Sequence, residues 1–209
     1  MARRRQRGNA DTATRILDIA ERLVQSRGFN GFSYADVAAE LGITKASLHY
    51  HFAGKAELGD ALIARYAARF AEALEQIYQR GGDAPAKLDA YAGLYADVLR
   101  EKRMCLCGML AADYDTLPKP MRDAVIRFFD DNELWLTRVL GQGHEDGSVR
   151  IGGSASEAAQ AIIGGLEGAL LVARPYGDVA RFKATATQLL EGLANTSPAE
   201  RAAASSASA

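Results

Sequence analysis

Apolar residues recur along this chain at intervals of three and four, the spacing of one face of an α-helix, and no run alternates with the period of two of a half-buried strand. Ile16, Ala20, Leu23 and Val24 mark a first helix from about Asp11, ended by Gly28. Ser33, with Asp36 three positions on, is the start signal of a second: a capping serine and its capping-box acid. Leu41-Gly42-Ile43 interrupts the pattern, and Thr44 caps a short third helix. A long fourth, Gly54–Arg80, carries the stripe Leu58, Leu62, Tyr66, Phe70, Leu74 and Ile77, and stops at Gly81-Gly82.

Pro85 launches a fifth helix with Leu88, Tyr91, Tyr95, Val98 and Leu99 on one face. A short helix is expected over Cys105–Tyr114, and a long one from Pro118 and Pro120 through Val125, Phe128, Phe129 and Trp135 to Leu140. Residues 141–153, GQGHEDGSVRIGG, read as a glycine-rich loop that leaves His144 alone. Ser154–Ala173 is a helix apolar on nearly every side, and Asp178–Leu193 a last amphipathic one. The tail from Ser197 is low in complexity and expected to be disordered. The fold class is all-α, and there is no internal repeat.

Composition narrows the function. The chain has 209 residues, 48% of them hydrophobic, which is ample for a core. No apolar run reaches the roughly 18 residues that span a membrane, and the basic start MARRRQRGNADT lacks the apolar segment of a secretory signal, so a cytoplasmic protein with no membrane partner is expected. Two cysteines spaced Cys105-x-Cys107 form no disulfide framework and offer a zinc ion only two ligands. With no phosphate-cradling loop, no metal set and no nucleophile–base pair, neither a cofactor nor an enzyme is expected, although an all-helical enzyme or a structural dimer remains the alternative class.

The net charge of −1 hides an asymmetry: residues 1–55 carry nine Lys/Arg against five Asp/Glu. Within that basic part, Thr44, Lys45, Ser47, His49, Tyr50, His51 and Lys55 crowd hydrogen-bond donors into twelve residues. Val37, Ala38, Leu41, Ile43 and Leu48 supply a buried side, and Gly42 fits a tight turn. Such a pair of helices, with one polar face, suits a DNA major groove.

The segment S-x-x-D-V-A-x-x-L-G-I-T-K-x-S-L-x-Y-H-F-x-x-K-x-x-L, with the helix before it, resembles the TetR family of bacterial transcriptional regulators over residues 11–62. The family most often has tyrosine after the leucine; this chain has His49. The resemblance implies three helices for DNA and six for a body, about nine in all. It divides the chain into a DNA-binding domain over 1–53, an effector-binding and dimerisation domain over 54–196, and the tail 197–209. It also implies a homodimer released from a palindromic double-stranded DNA operator by a small-molecule effector, with repression the expected outcome. Thr44, Lys45 and Ser47 would face base edges, while Ser33, Tyr50, His51 and Lys55 would contact phosphates. The arm Arg3-Arg4-Arg5-x-Arg7 either enters a groove, tracks the backbone or is a basic tail.

In the body, helices 154–173 and 178–193 are the candidate dimer interface, with Gly164, Gly165 and Gly168 allowing close approach; an internal core helix is the other reading. Tyr66, Tyr91, Tyr95, Met104, Cys105, Met109, Phe128, Phe129 and Trp135 either line an effector pocket or are plain core. Cys105 follows Arg100, Lys102 and Arg103 at a helix start, a setting that stabilises a thiolate. The stretch from Cys105 to Arg122 resembles the N-ethylmaleimide-responsive branch of the family, in which a cysteine at the matching position senses electrophiles. Cys105 is therefore either a sensor or a small buried core residue.

Overall fold

The computed structural model describes residues 2–194, with side chains from residue 11 onward. The tail 197–209 and the side chains of the arginine arm lie outside the described residues. Among the described residues nine α-helices run in chain order: α1 Ala2–Arg27, α2 Tyr34–Leu41, α3 Lys45–His51, α4 Lys55–Gln79, α5 Ala84–Arg100, α6 Leu106–Ala112, α7 Lys119–Glu145, α8 Ala155–Ala173 and α9 Val179–Glu191. Single 3-10 turns follow α6 and α8, and there is no strand among the described residues. Val149 and Ala194 form one isolated antiparallel bridge.

Two expected boundaries are corrected. Helix α1 starts at Ala2 rather than near Asp11: the good helix formers over residues 2–7 extend it across Gly8 and Asn9, and no proline interrupts them. Helix α7 continues to Glu145, so residues 141–145 are not loop and His144 sits in a helical last turn. The reason is packing: a Cβ on Gly143 would meet the side chains of Ala84 and Val149, the latter at 2.9 Å. That glycine allows a close approach; it does not stop the helix.

The contacts sort the chain into two compact units. Unit one holds the chain up to Ala71 together with Arg103–Phe128. Unit two holds Glu72–Lys102 and the chain from Phe129 onward. Helices α4 and α7 each contribute residues to both.

In unit one, Ile16, Ala20, Leu23 and Val24 of α1 are buried together with Val37, Leu48, Phe52, Leu58 and Leu62. Glu21 is buried among them, and it is paired. Its carboxylate accepts from Arg65 at 2.7 Å and from Arg69, which joins α1 to α4.

In unit two, α5, α8 and α9 pack on one another. Asp83 caps α5 by accepting the Ala86 N–H at 2.9 Å. Ser154 caps α8, with Glu157 completing the capping box. Helix α8 buries Ala159, Ile162, Leu166, Ala169, Leu170 and Ala173. Within one chain, however, it is not buried on every side. Ala161, Gly164 and Gly168 are exposed, as are Leu171 at 60% and Val172 at 58%.

Candidate nucleic-acid interface

Helices α2 and α3 are short, so their ends decide whether they form. Asp36 Oδ2 accepts both the Ser33 N–H at 2.7 Å and the Ser33 hydroxyl at 2.6 Å. These bonds, the hydroxyl's first, hold the Asp36 carboxyl below its ordinary value, and they pin the start of α2. Gly42 ends that helix in the left-handed region at φ +69°, where a side chain would be strained. Thr44 Oγ1 accepts the Ser47 N–H at 3.1 Å and starts α3.

Between these caps the two helices share a core. Val37, Ala38, Leu48 and Phe52 are buried, while Leu41 and Ile43 are half-buried. The opposite side of α3 faces solvent: Lys45, His49 and Tyr50 are exposed, with Ser47 and His51 half-buried. Tyr50 is 77% exposed, and its ring meets that of His51 edge-on at 5.5 Å. A tyrosine so placed, on a helix whose other side is core, presents its hydroxyl to solvent on a helix that also exposes Lys45. This surface suits hydrogen bonding to an anionic polymer.

Two residues of the expected contact set are engaged inside the head. His49 Nδ1 lies 3.0 Å from the Ala53 carbonyl, and its ring rests on Tyr34 with centroids 4.8 Å apart. Lys55 Nζ donates to the Phe32 carbonyl at 2.6 Å and sits over the rings of Phe32 and Phe29, at 4.3 and 4.6 Å. Burial lowers its pKa, opposed by the charges of Asp113 and Asp36.

Some of the expected pocket residues belong to unit one and others to unit two. In unit one, Tyr66 donates to Cys105 Sγ at 3.6 Å, and its ring lies 5.6 Å from that of Phe128. Cys105 is 1% exposed and caps α6, its sulfur accepting the Gly108 N–H at 3.5 Å. Met104 is buried beside it in sequence, and Met109 reaches towards Gly28. In unit two, Tyr91 stacks on Trp135 at 5.7 Å and 19°. The Tyr91 hydroxyl lies 3.1 Å from that of Tyr95 and donates to Asn132 at 3.2 Å. The indole N–H of Trp135 is buried with no hydrogen-bond partner among the described residues.

A cavity of about 250 Å³ between α5 and α9 is lined by Ala92, Gly93, Ala96 and Lys183 among others, and by none of the expected pocket residues. Among the described residues no cluster of His, Cys, Asp or Glu could hold a metal ion, and no helix is long and apolar enough to cross a membrane.

Sequence reasoning missed Glu21, Gln25, Asp113 and Asn132. Only Asp113 left a signal: an acid just past the end of α6 opposes that helix's dipole, so its position answers a demand from elsewhere.

A capped helix-turn-helix with a polar, solvent-facing second helix, on an all-helical body, defines a DNA-binding transcriptional regulator. Comparison with known proteins agrees. Residues 16–62 match the model of the bacterial regulatory proteins of the tetR family, and residues 84–189 match the tetracyclin repressor-like C-terminal domain. The chain belongs to the TetR family.

It is 26% identical over 152 residues to the transcriptional regulator AcuR of Cereibacter sphaeroides, spanning 71% of this chain and 69% of that protein. It is equally identical over 159 residues to the repressor NemR of Escherichia coli, spanning 73% and 78%. A TetR-family regulator from Agrobacterium tumefaciens superposes with a TM-score of 0.86 at 31% identity, covering 89% of this chain and 99% of that one. The reduced form of E. coli NemR has the same fold, with a TM-score of 0.78 at 23% identity over 90% and 99%.

Proposed function

We propose that the chain is a cytoplasmic, homodimeric repressor whose two α3 helices enter successive major grooves of a palindromic operator, and which a small effector releases. The exposed face of α3 carries this reading: Lys45 and Tyr50 stand in solvent while Leu48, behind them, is fully buried. Residues 1–53 then form the DNA-binding domain and residues 54–196 the effector-binding and dimerisation domain. Thr44, Lys45 and Ser47 address base edges, and Ser33, Tyr50 and His51 address phosphates. His49 supports the end of α3.

The homodimer forms through helices 154–173 and 178–193. What supports this is the uncovered small-residue face of α8, with Leu171 and Val172 at its end. The effector is an apolar molecule with at least one hydrogen-bond acceptor. The unpaired Trp135 N–H supports that chemistry, since a buried donor without a partner costs about 1–3 kcal/mol that an acceptor would recover.

The test is selection of a duplex from a randomised pool, followed by binding of Lys45→Ala and Tyr50→Ala. Both variants should lose most affinity while helicity and dimer mass persist, and wild-type affinity should fall steeply with salt. Unchanged binding by both variants would refute the interface.

A second reading concerns release by cysteine modification: two donors aimed at Cys105 Sγ stabilise a thiolate, and its 1% exposure requires the packing around it to open before a reagent arrives. Conjugate addition of that sulfur to an electrophilic alkene would form an S–C bond at one alkene carbon as the π bond breaks, the thiol proton ending on the other carbon, and would displace the contacts to Tyr66 and Gly108. N-ethylmaleimide should add the mass of one reagent molecule at Cys105 and release DNA in wild type but not in Cys105→Ser. Release that persists in Cys105→Ser removes this reading.

A further inference from the structure

The turn between α1 and α2 is held by residues far outside the helix-turn-helix motif. Asp113 Oδ2 accepts the Phe29 N–H at 2.7 Å across 84 positions of sequence. Thr116 Oγ1 accepts from Asn30 Nδ2 at 2.8 Å. Gly28, at φ +81°, leaves room for this approach, because a Cβ there would lie 2.9 Å from the same Asp113 oxygen. The Asp113 charge also acts on Lys55, sustaining its ammonium against burial. Lys55 in turn closes the turn from its other side, through the Phe32 carbonyl and the two phenylalanine rings.

The other end of α6 grips the same helix. Arg103 Nη1 donates to Gln25 Oε1 at 3.0 Å, and the Met104 N–H donates to the Gln25 carbonyl at 3.1 Å. Gln25 is 1% exposed. Helix α6, seven residues long, is thus clasped to the end of α1 at both of its own ends.

We infer that Asp113 is a positioning residue for DNA binding, acting on the reading head through the Phe29 amide and through Lys55. The Phe29 N–H lies beyond the end of α1, where no helical carbonyl meets it, and a carboxylate is a stronger acceptor than water or an amide. Phe29 and Phe32 are only 6% and 4% exposed, so their placement fixes where Ser33 begins α2, and α2 fixes α3. Removing the carboxylate leaves a part-buried donor unsatisfied and the Lys55 ammonium with Asp36 as the remaining opposing charge, the weaker of the two. Lys55 is in this scheme a positioning residue too, its ammonium spent inside the head. The inference rests on the DNA-binding reading above.

The experiment uses the full-length protein and a duplex enriched by the wild type from a randomised pool. Asp113→Ala should weaken binding by roughly tenfold, with helicity and dimer mass unchanged. Asp113→Asn, which keeps an acceptor and loses the charge, should recover part of that loss, and it carries the test if the alanine variant fails to fold. Lys55→Met should weaken binding while leaving the slope of log affinity against log salt unchanged, since it removes no phosphate contact. The double variant should lose less than the two single losses combined. Wild-type affinity in both Asp113 variants, additive losses, or a salt slope reduced by about one in Lys55→Met would overturn the inference. A wild type that enriches no duplex refutes the DNA-binding reading itself, which is a separate and earlier failure.

Discussion

The imidazole of His49 rests on the ring of Tyr34, 4.8 Å between centroids, and thereby joins the last half of α3 to the first residue of α2. The position most often holds tyrosine in the family that this chain resembles, and here the histidine adds a bond that a phenol at that distance would not make, from Nδ1 to the Ala53 carbonyl at 3.0 Å. His49→Phe should keep the ring contact and lose the bond; His49→Ala should lose both. Thermal unfolding should place the phenylalanine variant about 0.5–1 kcal/mol below wild type and the alanine variant lower still. Equal stability of the two variants would show that the ring contact contributes nothing.

Tyr34 also titrates unusually. Burial first, and the Glu57 carboxylate second, push its pKa from 10.0 up to about 12. Its hydroxyl donates to the Phe52 carbonyl at 3.1 Å, a bond that only the neutral form can make. A raised value means that the folded state holds the proton more tightly than the unfolded chain. The associated stability is therefore complete below pH 10 and lost as the pH rises towards 12. Urea unfolding of wild type and Tyr34→Phe across that window should converge, because the variant has no such limb. Parallel curves would show that Tyr34 does not carry the alkaline loss.

The buried ion pairs of α1 yield a third expectation. Glu21 has a side chain 6% exposed, and both Arg65, at 20%, and Arg69, at 52%, pair with it. Glu21→Gln should lower stability by about 2 kcal/mol, below the value for a fully buried pair because Arg69 is half in water. Adding Arg65→Met should return part of the loss, since a guanidinium left with Asp18, at 2.7 Å, in place of two carboxylates is then gone. The midpoint of urea unfolding, read at constant m, decides it.

The head was legible in the sequence because its determinants are local. Thr44 three residues before Ser47, Ser33 three before Asp36, and Gly42 between two apolar positions each specify a cap or turn from their own neighbourhood, and each occupies the expected place. The clasp of α6 on α1 was not legible, since Asp113 and Phe29 are 84 positions apart and neither belongs to an apolar stripe. Gly143 misled for a related reason. In one dimension a glycine reads as a helix breaker, and only the approach of Ala84 and Val149 reveals why it is inside α7. Spacing likewise put Tyr66 and Tyr91 on helical faces without revealing their partners, Cys105 for the one and Trp135 for the other.

The uncovered face of α8 gives the sharpest test of assembly. Gly164 and Gly168 lie one helical turn apart, and a Cβ built on either meets nothing within 4 Å in a single chain. Space alone therefore does not explain why these positions lack side chains. Glycine inside a helix costs roughly 0.5–1 kcal/mol relative to alanine, a cost that a lone subunit would shed by substitution. In the proposed dimer a second α8 would approach closely, with Leu171 and Val172 covered at the end of the contact, and this would account for the glycines. Gly168→Arg should accordingly leave the helical content of the chain intact, or raise it slightly, while halving the mass measured by sedimentation. Operator affinity should then fall as well, because one head in place of two forfeits the second half-site. A Gly168→Arg protein that sediments as a dimer would place the interface elsewhere. A monomer that binds the operator as tightly as wild type would mean that one head suffices.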